Sequence, residues 1–577
     1  MQMDTPNRAV ASGTGRKIER QALRRIGTIS LGALGCLTLL MSGCLKIEPS
    51  DETPARQKAL VTLRAERREM AHKPRRIIFN NDGNDAFVPA GEPHTRENFL
   101  SKRTAPLVGS QVDAIFFCTG VFNLYNHHSS ETEPFIIKPR MQGNTRLEDW
   151  GWELGRHGPD TLATMVDFGH KHKIEVFWSM RMNDTHDSSD PGVLCQWKRE
   201  HPDCLMGTYK EKFVAGGNRW SALNYAMPEV REKVVRILRD VATRYDVDGL
   251  ELDFMRSPVY FKPQMLGKPV TQQQCDLMTD MLRRVRAMAD ETAAKRGRPM
   301  LIAIRVPDSV GFASALGLDV VRWLKEDLVD MMAVSCFFQL NPWETSVQLG
   351  HQYGVPVYPS LSEPRFTNGQ SQRVRKSPEC YRGRALDAWQ AGADGIYMFN
   401  YFDPRSRLWR ELGDRDTLQD MDQLYPAGTM ATSMIGWLAG GMQWMNRPMP
   451  LPEKPLTITP GGKASIEISV AATVNNQSKL TPCVQARLLV DDVASAKDLT
   501  VKLNDQALPD SVPAGAWLEY AVDPSAVKQG VNRLELTMPA AGNGTKLLDA
   551  VLQIWYKSAA ISVADEFSVE YVEKTVK

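Results

Sequence analysis

Between Pro74 and Ala439 the chain returns eight times to a short apolar run, and helical patterns fill the spaces between them. The runs are Arg76–Asn80, Ala114–Thr119, Lys173–Met180, Gly249–Phe254, Met300–Val306, Met331–Cys336, Val355–Ser360 and Gly395–Asn400. Each is too short for a helix and too evenly apolar for a strand with one wet face, which suits strands buried on both sides. Four share an entrance: Asp113, Asp248, Asp330 and Asp394 each follow Val or Ala and stand directly before the apolar residues. That repetition predicts a recurring helix-to-strand joint with a polar turn.

The segments between the runs read as amphipathic helices. Val230, Val234, Ile237, Leu238 and Val241 form one stripe behind Pro228, a residue suited to a helix's first turn. Thr271 and Gln274 form a capping box ahead of Leu277, Met278, Met281, Leu282, Val285 and Met288. Eight strand–helix units predict an α/β fold, an enlarged (β/α)8 TIM barrel over residues 74–440. The competitor, an open doubly wound sheet that binds a nucleotide, lacks the glycine-rich loop expected after its first strand.

At 577 residues the chain exceeds one compact domain. Pro448, Pro450, Pro452, Pro455 and Pro460 mark residues 441–463 as a linker. Residues 464–577 change to short alternating segments: Ser465–Val470, Ala486–Val490, Leu499–Lys502, Trp517–Val522, Asn532–Met538 and Ala550–Trp555. This pattern predicts an all-β sandwich, jelly-roll-like.

The N-terminal 44 residues read as a targeting segment. Arg16, Lys17, Arg20, Arg24 and Arg25 precede an uncharged run from Ile26 to Gly43, which ends in Leu40-Met-Ser-Gly-Cys44. Small residues before a cysteine resemble a lipobox, so Cys44 is expected to carry a lipid, tether the chain to a membrane and place it in the cell envelope, periplasmic or on the outer surface. An uncleaved anchor helix is the alternative. Residues 45–73 read as a polar tether, helical in part or not at all. Cys118 and Cys336 read as packed thiols, and Cys195 and Cys204 as a pair that an exported protein could join. The net charge of +2 and the lack of a basic stripe argue against nucleic acid. No zinc spacing or nucleotide loop is present, so no cofactor or metal is expected. Oligomeric state is left open.

The candidate chemistry centres on Asp246-Val-Asp-Gly-Leu-Glu-Leu-Asp-Phe-Met-Arg256. Strand side chains alternate faces, so Glu251 and Asp253 point the same way while Leu250, Leu252 and Phe254 point to the helices. Paired acids on an inner face are costly unless paired, neutralised or used. In barrels of this class the site forms at the strands' C-terminal ends. Asn80, Asp82, Arg181, Asn183, Asp184, His186, Arg256, Arg305, Asp308, Asn400 and Asp403 are expected to stand there.

Glycosidic bond cleavage uses two carboxyl groups. Asp253 is the first candidate, its alternative being a buried structural acid paired with Arg305 or Arg256; Glu251 is either an acid of raised pKa or a group holding Arg181 or Arg305. Glu363, after the seventh run, is the candidate for the second carboxyl, with Asp184 and Asp308 as rivals. Arg181, Asn183, Asp184, His186, Arg256, Arg305, Asn80 and Asn400 read as substrate-binding. The three arginines suit an anionic sugar, or else balance the buried acids. Tyr125, His127, His128, Trp150 and Trp152 either stack on sugar rings or anchor a loop. Two readings of other classes stay open: a non-catalytic glycan-binding protein on a degenerate barrel, and a metal-dependent hydrolase using Asp82, Asp184, Asp253 and His186.

Asn224-Tyr-Ala-Met-Pro-Glu-Val-Arg231 followed by Asp248-Gly-Leu-Glu-Leu-Asp-Phe-Met-Arg256 resembles the family-10-like glycosyl hydrolase proteins, over roughly Arg75 to Asp403. The resemblance implies a barrel and a polysaccharide substrate without supplying a catalytic pair. The same strand is similar to the chitinase signature, but Met255 stands where the catalytic Glu belongs. Val501-Lys-Leu-Asn-Asp505 and Gly530-Val-Asn-Arg-Leu-Glu-Leu-Thr537 resemble galactose-binding-like modules, which implies either carbohydrate contact or a brace.

Overall fold

The structure is a computed structural model that describes residues 54–136, 140–142, 145–149, 151–156, 158–215, 217–428, 441–447, 454–474 and 480–558. Cys36, Cys44, the basic segment before them and Trp150 lie outside the described residues. The described residues from Ala55 onward form one compact unit.

Eight parallel strands close into a barrel: β1 (Ile77–Asn81), β2 (Val112–Phe117), β3 (Glu175–Arg181), β4 (Gly249–Asp253), β5 (Leu301–Val306), β6 (Met331–Val334), β7 (Val357–Ser362) and β8 (Ile396–Phe399). Each pairs with its neighbours in sequence, and β8 returns to β1. The eight apolar runs are these eight strands. All of them except β2, which is half-buried at Asp113, are buried along their whole length. Gly249 opens β4 because a side chain there would run into the Phe177 ring, 2.3 Å from where its Cβ would stand.

The four entrance aspartates have a common job. Asp113 accepts the backbone N–H of Arg76 (2.8 Å), Asp248 that of Val176 (2.8 Å), Asp330 that of Ile302 (2.7 Å) and Asp394 that of Val357 (2.8 Å). Each even strand thus ties down the start of the odd strand before it, at the end away from the site. Each carboxylate also meets a base: Arg76, Arg298 with His170, Arg286 with Arg67, and His351. The polar turn is therefore a repeated backbone cap that satisfies donors the barrel's first rung would leave unpaired.

The helices follow their sequence signals. Pro228–Arg244 (α1) carries Pro228 in its first turn and buries all five residues of its apolar stripe, each worth about 1.5–3 kcal/mol relative to exposure. Gln272–Arg296 (α2) has both hydrogen bonds of the Thr271–Gln274 capping box and ends on Gly297 at φ 72°.

Residues 45–73, read as a polar tether that could be partly helical, include the helix Pro54–Ala71. Its Arg67, almost fully buried, meets Asp327 at 2.5 Å and Asp330 at 3.0 Å beneath the barrel. Charged side chains outnumber large apolar ones along it, and its last turn packs Met70 and Ala71 on the core beside these ion pairs.

The C-terminal region is a sandwich of two antiparallel sheets. One joins Leu480–Val490, Trp517–Val522 and Thr545–Ser558; the other joins Lys463–Val470, Gly530–Thr537 and Thr500–Leu503. All six expected segments are strands. Two more extend the sheet into regions assigned otherwise: Gln423–Pro426, from the barrel's share, and Leu456–Ile458, from the linker, both pair with Thr545–Ser558. They carry three or four residues each, too few to show alternation. Arg375, over the barrel, forks onto Asp549 of the sandwich at 2.5 and 2.9 Å, with both side chains buried.

Cys118 and Cys336 are buried thiols, as expected. Cys195 and Cys204 are also free and buried rather than joined. Among the described residues no helix is long and apolar enough to cross a membrane.

Candidate active site

Strand register decides which side chains share the barrel's interior. Glu251 is level with Ser179 and Ala303, and Asp253 with Arg181 and Arg305. On the far side, Ser360 is level with Tyr397, and Ser362 and Asn80 are level with Phe399. The deeper layer holds Glu251, fully buried. Tyr397 donates to its Oε1 at 2.7 Å and Ser179 donates to its Oε2. Burial, and then the charge of Asp253, push the Glu251 carboxyl up to about 7, against the pull of Arg305 and the two hydroxyls.

One layer nearer the mouth, Arg305 forks onto Asp253, Nε to Oδ1 at 2.9 Å and Nη2 to Oδ2 at 2.6 Å. Asp253 Oδ1 also accepts the N–H of Met255 at 2.9 Å. The Arg305 guanidinium lies 3.9 Å from the Phe399 ring centroid. Burial works against its charge, but Asp253 and the fork hold its pKa above the ordinary arginine value. So Glu251 contacts neither Arg181 nor Arg305 directly; Asp253 takes Arg305, and Arg181 goes elsewhere.

Arg181 donates to Asp184 Oδ2 at 3.0 Å, and the other oxygen of Asp184 lies 2.7 Å from His186 Nδ1. Burial would raise Asp184, but His186 and Arg181 together hold it far below the usual carboxylate range. Arg103, which the sequence reading did not single out, reaches the mouth from the end of the helix Arg96–Arg103. It meets Asp82 at 2.6 Å and Asp85 at 3.1 Å and stacks 3.9 Å over Phe402. Burial opposes the shift, yet Arg103, Arg181 and Arg256 keep Asp82 below its ordinary value. Asp85, more enclosed, is pushed up by burial to about 6. Asn80 and Asn400 stand at the strand ends as expected, and the buried Asn400 Oδ1 has no partner among the described residues.

Three expected site residues are turned to other tasks. Asn183 is fully buried and donates to the carbonyls of Leu223 (3.1 Å) and Val259 (2.5 Å) while accepting from Leu223 N–H (2.9 Å), so it braces two loops. Asp308 accepts the N–H groups of Leu340 (2.7 Å) and Asn341 (3.0 Å) and fixes the loop after β6, with burial pushing it up to about 6. Glu363 follows inward Ser362, so strand alternation turns it away from the lumen. It pairs with Lys376 at 2.6 Å, about half exposed, and touches neither Glu251 nor Asp253.

Tyr125 and His127 are buried, stacked on each other at 5.1 Å beside Trp178, so they anchor the loop. The Trp152 side chain lies outside the described residues. The set Asp82, Asp184, Asp253 and His186 does not close on one point, since each carboxylate is held by a different arginine. Among the described residues no three of His, Cys, Asp and Glu group as a metal site requires.

Ser179, Tyr397 and Arg103 were missed. The first two occupy inward positions of β3 and β8 and were recoverable from strand parity. Arg103 gave no signal, because nothing in the sequence shows that the helix Arg96–Arg103 turns its last residue toward Asp82 and Asp85.

The family model described as Glycosyl hydrolase-like 10 matches residues 145–275, which hold β3, α1, β4 and the first residues of α2. No curated protein sequence matches the chain. Among solved structures it is similar to alpha-L-fucosidase isoenzyme 2 from Paenibacillus thiaminolyticus, at 12% identity over 67% of this chain and 51% of that one, TM-score 0.36. It is also similar to the catalytic domain of a psychrophilic chitinase B from Arthrobacter, at 11% identity over 60% of this chain and 95% of that one, TM-score 0.35. A family 36 alpha-galactosidase from Geobacillus stearothermophilus gives 10% identity over 84% and 56%, TM-score 0.33. The chain thus spans about half the length of the fucosidase it matches. The closed eight-stranded sheet is a TIM barrel followed by a β-sandwich, and its segment 145–275 is similar to the glycosyl hydrolase-like 10 family. At such scores the three structures lend no residue roles.

Proposed function

We propose that this chain is an exported, lipid-anchored glycoside hydrolase that cleaves an extracellular oligo- or polysaccharide at the C-terminal mouth of its barrel. The observation that carries this reading is the pair of carboxyl groups stacked on one face of β4 in unlike settings. Glu251 is enclosed and pushed up to about 7, while Asp253, nearer the mouth, lies in the Arg305 fork. Unlike settings for neighbouring carboxyls are what separates an acid from an anionic partner in such chemistry.

In this reading Asp253 meets the scissile bond. Glu251 keeps a proton beneath it, so that only one charge of the pair is buried there. The Arg181–Asp184–His186 and Arg103–Asp82 groups line the approach and orient the sugar. The basic segment, the uncharged run and Cys44 support export and lipid attachment, which suits a substrate too large to enter a cell.

A second reading, a glycan-binding protein on a degenerate barrel, is favoured by one observation: both oxygens of Asp253 are already held by Arg305. A hydrolysis panel of plant, bacterial and animal glycans with the full chain separates the two. Release of reducing ends from any member supports the hydrolase. Saturable binding with no release from any member overturns it in favour of the binder.

A further inference from the structure

Among the described residues, four guanidinium groups bear on Asp82, Asp184 and Asp253, and three are paired with them. Arg103 holds Asp82 and Asp85, Arg181 holds Asp184, and Arg305 holds Asp253. Arg256, three residues beyond the end of β4, makes no hydrogen bond and no ion pair with any described residue. Its guanidinium sits 5.7 Å from the centroid of Phe399, the same ring that carries Arg305 at 3.9 Å. The acids whose fields it feels, Asp184, Asp82 and Asp253, are each engaged by another arginine.

The setting is unfavourable for a lone cation. Burial, and then the like charge of Arg181, pull the Arg256 pKa down to about 10. Its half-buried guanidinium N–H groups have no acceptor among the described residues and are donors left for a ligand to complete. Two further polar atoms near the same ring are unsatisfied: Arg305 Nη1 and Asn400 Oδ1, both enclosed. A neutral hydroxyl can accept one bond from a guanidinium, but it leaves the other donors of the fork unmatched. A carboxylate matches the planar fork in two parallel bonds and cancels the charge.

We propose that Arg256 receives the carboxylate of an acidic sugar unit, which makes the substrate of this barrel an anionic, uronate-type glycan. This rests on the glycan reading of the mouth, and it adds the residue that selects for charge.

The test is calorimetric binding by the full chain in detergent, a readout independent of turnover. The probes are oligosaccharides of polygalacturonate, alginate, hyaluronan and heparosan, each also with its carboxylates reduced to alcohols, and a sulfated carrageenan oligosaccharide. At least one acidic probe is expected to bind roughly tenfold or more tighter than its reduced form, the scale of a charge-assisted pair. Arg256→Gln should bring the two within about twofold, and Arg256→Lys should restore part of the difference, both with melting temperatures near wild type. Equal binding of every acid–alcohol pair, a preference that survives Arg256→Gln, or tighter binding of the sulfated probe overturns the proposal. Cleavage of neutral glycans without any carboxylate preference sinks this inference and leaves the hydrolase standing. Carboxylate preference without cleavage does the reverse.

Discussion

The Tyr397 hydroxyl of β8 crosses the barrel to donate to Glu251 of β4 at 2.7 Å, beneath the Asp253–Arg305 ion pair. Opposite walls of the barrel are thereby joined by a polar core in place of the branched apolar layers that usually fill such barrels. Aromatic rings close the space around it: Phe116 stacks on Phe177 at 4.5 Å and meets Tyr397 edge-on at 5.7 Å. A core of this kind is costly to build and fails in defined ways when one member is removed.

Arg305→Met should be strongly destabilising. It leaves Asp253 charged and enclosed without its fork, a change worth about 3–5 kcal/mol for a buried pair. The double variant Asp253→Leu with Arg305→Met should recover much of that loss, because no charge is then stranded. Thermal melts of the three proteins check this; a single variant that melts with wild type contradicts the pairing.

The proton on Glu251 gives a pH signature. Its folded-state value is raised from 4.5 to about 7, so between those values the folded chain binds more protons than the unfolded one. Stability contributed by this group is therefore present below about 4.5 and is lost as pH rises toward 7. Glu251→Gln should flatten the decline in melting temperature between pH 5 and 7. An unchanged slope would show that Glu251 is not the titrating group.

The strand-entrance aspartates should differ in weight. Asp330 is buried and serves Ile302 N–H, Arg286 and Arg67 together, so Asp330→Ala should cost about 3 kcal/mol or more. Asp113 makes the equivalent bond in a half-exposed place, where Asp113→Ala should cost about 1 kcal/mol. Denaturant titrations give both numbers, and equal costs would contradict the role of burial.

Asp549→Ala should loosen the sandwich from the barrel. It strands Arg375, which otherwise spans the two through its fork and a 2.8 Å bond to the Gly428 carbonyl. The expected calorimetric trace is a split or broadened transition in place of a single one. A trace that merely shifts to lower temperature, keeping its shape, would place the coupling in the Gln423–Pro426 strand instead.

What the sequence showed of this architecture followed physical signal strength. Strands buried on both faces are continuous apolar runs, so all eight were legible, and the repeated aspartates marked their entrances before the bond they make was known. Glu251 and Asp253 were legible as a pair because parity on one strand needs no tertiary knowledge. Long-range partners were legible only in part. Arg305 was one of two arginines read as partners for Asp253, and it is the one that takes it; that Glu251 is held instead by Ser179 and Tyr397 depends on how the side chains share one lumen, and Arg103 arrives from another element altogether. Glu363 was misplaced toward the lumen because the prolines around β7 hid where the strand ends. For the helix Pro54–Ala71 the helical state was allowed for but its docking was not, because the ion pairs of Arg67 with Asp327 and Asp330 join residues far apart in the chain.

The most direct test of the central claim is hydrolysis by the full chain of the glycan that the panel identifies, comparing wild type with Asp253→Asn at matched folded fraction. The Asn side chain keeps the shape and one acceptor for Arg305 while removing the charge. If Asp253 meets the scissile bond, turnover falls by about a hundredfold or more while the melting temperature drops by only a few degrees. Turnover that persists in a folded Asp253→Asn protein would contradict the account and move the chemistry off β4.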